Sequence, residues 1–342
     1  MTTPPQTDMR LVALGGGNGT SQVLLGARPY FAHRTAIVGV TDTGRSTGVA
    51  RAIGDMPAPG DLRNTLATLS SEPESLVVKL LQHRFHSDAV PDLKGMAFGN
   101  LLIAALKEMH DDFASAIETL ATLARCQEQV LPISTDNAHL CAELEDGSVM
   151  DNELAVRGLN KAPIRHLFLS PPDAAAHPPA IEAVTSADLV VIGPGSFFTS
   201  VLATLLFQGM VDALQRTRAT VVFICNTTTQ PGQTDGFNTF DHIDRLVAVL
   251  GKGTLDIALI NQNTSIDTAL LAQYAADGVY LVQPYQDEIE RIVSLGVQPL
   301  VGDYVEPTEC KRNLWNKQDT IRHNTALLGE ALWEVARNYA TY

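Results

Sequence analysis

Two stretches decide the fold: Gly15-Gly16-Gly17-Asn18-Gly19-Thr20 and Thr41-Asp42-Thr43-Gly44-Arg45-Ser46-Thr47-Gly48. Each follows a short, mostly apolar run that reads as a strand, Arg10 to Leu14 for the first and Thr35 to Val40 for the second. Both loops therefore open at one edge of one sheet, the edge where α/β proteins bind phosphorylated ligands. Backbone N–H groups converge on a phosphate only where no Cβ intervenes. A helix expected from Thr20 onward would add its unpaired N–H groups and positive dipole end. A turn that binds nothing manages with one or two glycines. Four in the five positions from Gly15 to Gly19, followed by a second such loop, favour an anionic ligand.

Working outward, strand and helix signals alternate in the βαβ manner of a mostly parallel sheet covered on both faces, a Rossmann-like three-layer α/β sandwich. Asp61 to Ser70, with Asp61 as N-cap, Glu74 to Phe85, Gly99 to Met109 and Phe113 to Ala124 read as helices. From Gln129 to Leu169 the pattern turns to period two, with a hairpin signal at Glu145-Asp146-Gly147-Ser148, so residues 129–169 read as a small β-rich insertion. The alternation then resumes: strands Asp188 to Ile192, Ala219 to Cys225, Asp256 to Ile260 and Val279 to Val282, and helices Thr199 to Gln215, Phe240 to Leu250, Ile266 to Ala276 and Thr325 to Tyr339. Three of these strands run into polar loops, Gly193-Pro194-Gly195-Ser196, Asn226-Thr227-Thr228-Thr229-Gln230 and Asn261-Gln262-Asn263. Parallel strands put all five loops on one side, which weighs more than any single loop.

With 342 residues, 45% of them hydrophobic, the chain can bury a sizeable core, and residues 9–342 read as one domain behind a short disordered lead, Met1 to Asp8. A net charge of -14 with no Lys/Arg run argues against nucleic acid and anionic membrane. Cys126, Cys141, Cys225 and Cys310 are widely spaced, without zinc-like pairing, which fits a reducing cytoplasm. No apolar stretch reaches the length of a membrane span. A dinucleotide fingerprint is incomplete, since Gly15-x-Gly17-x-x ends on Thr20, although Asp42 is well placed for a ribose. A P-loop is excluded because neither opening loop carries a lysine. Phosphate charge would be met by backbone amides, by Arg45, Arg51 or Arg63, or by a metal on Asp42. His33, His83, His86 and His110 have no evident Ser or Cys partner, and no catalytic nucleophile emerges.

These blocks, together with Pro59-Gly60-Asp61-Leu62-Arg63-Asn64, Phe98-Gly99-Asn100-Leu101-Leu102, Gly193 to Ser200 and Thr229-Gln230-Pro231-Gly232, resemble in kind and order the signatures of the gluconeogenesis-factor (YvcK-like) proteins. Those share a superfamily with CofD, the phospholactate transferase of deazaflavin coenzyme synthesis. The resemblance implies a nucleotide-diphosphate-binding fold. It implies a UDP-sugar such as UDP-N-acetylglucosamine as ligand and a role in carbon metabolism, cell shape and wall synthesis, with regulation rather than turnover. The transferase branch implies instead a guanosine diphosphate donor, a deazaflavin acceptor and Mg²⁺. An NAD-dependent oxidoreductase stands third.

Carried over by motif, Gly16, Gly17, Asn18, Gly19 and Thr20 would hug the phosphates. Asp42, Arg45, Ser46, Asn64 and Asn100 would line the ligand, and Gly195, Ser196 and Asn226 would close the far side. Arg322, in Arg322-His323-Asn324, would be a ligand contact, and Tyr274 resembles a family tyrosine near the base. Thr43 and Arg45 stand where the family usually has an acidic residue and a glycine, Met96 where histidine is common, and Asn324 where Asp is usual. Loss of the second carboxylate weakens Mg²⁺ binding and with it the transferase reading, whereas Arg45 would offer a bidentate contact to phosphate. Homo-oligomers and regulatory protein partners stay open.

Overall fold

Seven apolar runs pair side by side in the computed structural model, which describes residues 6–86, 88–262, 266, 268–306 and 321–339. They are β1 (Thr7–Gly15), β2 (Phe31–Val38), β3 (Gln129–Pro132), β7 (Leu189–Ile192), β8 (Thr220–Ile224), β9 (Ile257–Asn261) and β10 (Gln298–Gly302). Their order is β10-β9-β8-β7-β1-β2-β3, and every neighbouring pair is parallel. Every residue of β7, β8 and β9 is buried, as helices on both faces require. A second, antiparallel sheet holds β4 (His139–Leu144) between β5 (Val149–Met150) and β6 (Ile164–Ser170).

The first half supplies α1 (Gly17–Ala27), α2 (Arg45–Gly54), α3 (Gly60–Leu69), α4 (Leu76–Gln82), α5 (Phe98–His110) and α6 (Phe113–Leu123). The short α7 (Glu153–Val156) sits in the second sheet's connection, and α8 (Pro178–Thr185) leads into β7. After β7 a π-helical turn, Phe197–Leu202, runs into α9 (Ala203–Leu205), followed by α10 (Met210–Arg216), α11 (Thr239–Leu250), α12 (Thr268–Ala276), α13 (Gln286–Ser294) and α14 (Thr325–Tyr339). The C-terminal helix closes on the first: a Cβ on Gly26 would meet the Thr325 carbonyl oxygen, and one on Gly329 would meet the Gly26 carbonyl oxygen at 2.0 Å. Bare backbones thus let the C-terminal end of α1 touch α14.

The fold class stands as expected, with six local departures. β3 belongs to the main sheet, pairing β2 from Thr35 opposite Gln129, so the small sheet begins only at His139. Residues 148–154 break after Met150 because Asn152 caps the Ala155 N–H and starts α7. The helix expected over 199–215 divides at Gly209, whose φ of 89° no helix tolerates. Val279 to Val282 forms no strand and makes only an isolated bridge, Thr228 to Leu281, while the last sheet position is taken by β10, an edge strand that accommodates Pro299. Asp61 is not an N-cap; Pro59 holds that position. β1 starts at Thr7 and so takes in two residues of the expected lead, Thr7 and Asp8. Asn263 and Cys310 lie outside the described residues, among which Cys126, Cys141 and Cys225 are free thiols. No described helix is long and apolar enough to cross a membrane.

Candidate functional site

The chain leaves β1 towards β2 on one side and reaches β7 on the other, so the strand order reverses between β1 and β7. Loops diverging at such a reversal leave a crevice at the carboxyl ends of the strands, the usual ligand position of open α/β sheets. Here the walls are the Gly15–Gly19 turn and the Gly193–Ser196 turn, and they touch backbone to backbone. A Cβ on Gly19 would lie 1.8 Å from the Pro194 carbonyl oxygen, and one on Gly17 would lie 2.6 Å from that of Asp61. These glycines are therefore required by the packing of α1 against α3 and the β7 turn, whatever they bind. The Gly17 N–H is taken by the Asp61 carboxylate, and the N–H groups of Asn18 and Gly19 lie in a first turn with no intrahelical acceptor. Thr20 is buried and its hydroxyl has no partner.

The second loop is held by side chains. Asp42 accepts the Gly44 N–H at 3.1 Å and the Thr47 hydroxyl at 2.8 Å, which turns the chain into α2. Ser46 accepts the Ala97 N–H at 2.8 Å and the Asn100 amide at 3.2 Å, so the two residues expected to line the ligand do meet. Asn64 accepts from Arg63 at 2.9 Å. Arg45 is exposed and donates to the Pro91 carbonyl at 3.1 Å, reaching away from the strand ends towards the 91 loop. Across the crevice, Asn226 donates to the Gly195 carbonyl at 2.7 Å, and Gln230 accepts the Phe197 N–H at 2.9 Å and the Ser196 hydroxyl at 3.3 Å. Tyr274 lies on α12 against a small apolar group, Ile266, Val305 and Ile321, and Arg322 is exposed next to it in sequence order after Ile321. His323 is tied to the Cys225 backbone at the end of β8, and burial pushes its pKa down to about 4.

Charge accumulates beneath the second loop. Burial, then the Asp42 charge, pushes the Asp61 carboxyl up to about 6. Burial pushes Glu153 up to about 7, with the Asp42 charge adding to it against the opposing Arg157, whose Nη1 lies 3.3 Å away. Burial and Arg84 lower the Arg63 guanidinium to about 10. Thr43 carries no charge, yet the Asp42 charge acts on two carboxyls from elsewhere in the chain, Asp61 and Glu153. Glu153 was not anticipated; the Asn152-Glu153 pair, a capping residue followed by an acid, was the signal that a helix begins there. Glu153 accepts the Thr43 N–H and the Thr43 hydroxyl accepts the Leu154 N–H, clamping the loop to α7. Gln230, a second unanticipated contributor, anchors the β7 turn.

Several residues of these loops and of the helices that start from them carry buried polar atoms without partners, Thr20 Oγ1, Asn100 Oδ1, Asn226 Oδ1, Asn261 Nδ2, Arg63 Nε and Glu153 Oε2 among them. Folded proteins rarely leave such atoms unsatisfied, and a set of them points to a polar ligand or water. Among the described residues no group of three or more His, Cys, Asp and Glu side chains is arranged to hold a metal ion.

The sequence model of the 2-phospho-L-lactate transferase CofD family matches residues 11–305. The chain is 36% identical over 324 residues to the gluconeogenesis factor of Halalkalibacterium halodurans, covering 95% of each protein. It is 33% identical over 328 residues to the gluconeogenesis factor of Bacillus subtilis, covering 96% of this chain and 98% of that one. A crystal structure of a UPF0052-family protein from Bacillus halodurans superposes with a TM-score of 0.85 at 34% identity, over 96% of this chain and 99% of the other. The signature blocks at the strand ends, the sheet order around the switch point and these likenesses agree: the chain belongs to the gluconeogenesis-factor branch of the CofD family.

Proposed function

We propose that this protein is a cytoplasmic gluconeogenesis factor that binds a nucleotide-diphosphate sugar of the UDP-N-acetylglucosamine type at the β1/β7 switch point and acts as a regulator of carbon metabolism, cell shape and wall synthesis. The observation that carries the reading is the presence of unpaired α1 N–H groups and of orphaned Thr20, Asn100 and Asn226 atoms among the residues expected to line one crevice. In this reading the first turn of α1, from Gly16 to Thr20, meets the diphosphate. Asp42, Ser46, Asn64 and Asn100 hold the ribose and sugar side, Gly195, Ser196 and Asn226 form the far wall, and Tyr274 and Arg322 approach the base. Arg45, exposed on the rim, swings to a phosphate.

One observation favours a second reading, a CofD-like transferase with a guanosine diphosphate donor. The Asp61 carboxyl, raised by burial and further by the Asp42 charge, is one that a dication would hold ionised. Mg²⁺ held by these two carboxylates and by phosphate oxygens suits its habit of using few protein ligands. There it would neutralise charge on the diphosphate.

Calorimetric titration with UDP-N-acetylglucosamine, GDP and NAD, each with and without Mg²⁺, separates the readings. The expected result is binding of the UDP-sugar, weakened by Asp42→Ala and Arg322→Ala. Binding of GDP alone, strictly Mg²⁺-dependent and abolished by Asp42→Ala, would replace it with the transferase. UDP-sugar binding unchanged in Arg322→Ala would remove that residue from the site.

A further inference from the structure

A second opening lies behind the Asp42 loop. Between α2, the segment entering β4 and the start of α7 the chain leaves a cleft of about 540 Å³, walled by Thr43, Arg51, Asp55, Asn137, His139 and Leu154 among others. That volume is in the range of small-molecule sites.

Arg51 is the unusual wall. Only 4% exposed, it donates from Nε and Nη2 to Asn137 Oδ1, at 3.1 and 2.7 Å, and from Nη2 to the Ala138 carbonyl at 2.9 Å. Its third nitrogen, Nη1, is buried and has no partner. It makes no ion pair among the described residues, whereas buried Arg34 lies 3.1 Å from Glu128. Burial lowers the Arg51 pKa, opposed only by the more distant Asp42. A guanidinium fixed in place by neutral acceptors, with one nitrogen left over, is costly for stability alone.

The neighbours complete a receptor. His139 Nε2 lies 3.3 Å from Arg51 Nη2. Burial and the Arg51 charge hold its pKa below the ordinary histidine value, so near neutrality the ring is uncharged. With Nε2 facing a cation, its proton belongs on Nδ1. Two carboxylates temper the site: exposed Asp55, which accepts from Asn137 at 3.2 Å, and Asp151, whose charge acts on His139. They disfavour multiply charged anions. Ala52 and Leu154 add apolar surface.

We propose that this cleft is a second ligand site, which takes a small organic carboxylate monoanion, with its head at the Arg51 guanidinium and its carbon body against Ala52 and Leu154. The site stands independently of the nucleotide-sugar reading. Because Thr43 and Gly48 wall the cleft while Asp42 and Ser46 face the switch point, its occupant touches the other side of the same loop.

The test is calorimetry and thermal shift on the full-length protein with pyruvate, glycerol 3-phosphate and inorganic phosphate, with chloride as the control. Saturable binding of pyruvate is expected, tighter than that of either phosphate compound; a preference for glycerol 3-phosphate or inorganic phosphate overturns the carboxylate assignment. Arg51→Gln should weaken pyruvate binding at least tenfold. Leu154→Trp, at an exposed rim position that folding tolerates, should block it equally and decides the matter where Arg51→Gln fails to fold. No saturable binding to the wild type overturns the proposal. So does binding that survives Leu154→Trp but disappears when UDP-N-acetylglucosamine is present, since that places the anion at the switch point.

Discussion

The two glycine-rich loops lie side by side on one sheet edge, yet they are held in opposite ways. At the first, backbone meets backbone: the Gly17 and Gly19 positions are filled by the Asp61 and Pro194 main chain. At the second, side chains do the holding, through Asp42 to Thr47, Ser46 to Ala97 and Thr43 to Leu154. Glycine therefore means close packing in one loop, whereas in the other neither Gly44, at a φ of -53°, nor Gly48, inside α2, is required by its neighbours or its backbone conformation. The titratable groups differ too. The switch-point side buries neutral histidines, His323 at the β8 end and His242 against Phe197, while the second loop buries carboxyls, Asp61 and Glu153.

The largest expected effect is that of Gly19→Ala. A Cβ 1.8 Å from a carbonyl oxygen forces α1 away from the β7 turn, and the loss should reach about 3 kcal/mol, the upper end of overpacking costs. Chemical denaturation reads it; a loss below about 1 kcal/mol would mean the two walls separate freely.

Next comes the acid limb of stability. His242 is held down to about 4 by burial, so the unfolded chain takes up a proton as pH falls through the ordinary histidine value of 6.5 while the folded protein does not until about 4. Stability is fully present above that ordinary value and declines towards the folded one, by up to about 3 kcal/mol. His242→Phe should flatten this decline in urea midpoints measured across the interval. An unchanged slope would show that this histidine is not what titrates.

The second loop should respond in the opposite sense and by a similar amount. Glu153 rises from 4.5 to about 7, so the unfolded chain releases its proton first and stability falls as pH rises through that window. The loss is up to about 3 kcal/mol, and Glu153→Gln should remove it. If the variant keeps the slope, Asp61 carries it instead.

The smallest effect is a gain. Gly48 lies inside α2, and its added Cβ would come no nearer than 3.9 Å to the Thr43 carbonyl oxygen. Gly48→Ala should stabilise by roughly 0.5–1 kcal/mol. A loss in thermal melts would erase the contrast between the loops.

Much of the site was legible because parallel strands advertise their ends. Fully apolar runs such as Leu189–Ile192 and Thr220–Ile224 stop at Gly193 and just before Asn226, and parallel pairing brings all such stops to one edge. Ser46 and Asn100 were identified separately and meet in the fold. Arg45 was legible as a charge, but its reach towards Pro91 depends on a loop from another part of the chain. β10 hid behind Pro299, tolerable only because no strand pairs beyond it, and β3 hid inside a period-two stretch that continues into the small sheet.

The sequence by itself determined the strand ends, the glycine turns and the family, because these depend on local periodicity and on residues whose backbone freedom is intrinsic. Only the tertiary structure decided which carboxyls the Asp42 charge acts on, which backbone fills the space beside Gly19, and that Arg51 is buried without a counter-charge. Those depend on which distant segments are desolvated together, and electrostatic energy is set by that burial rather than by position along the chain.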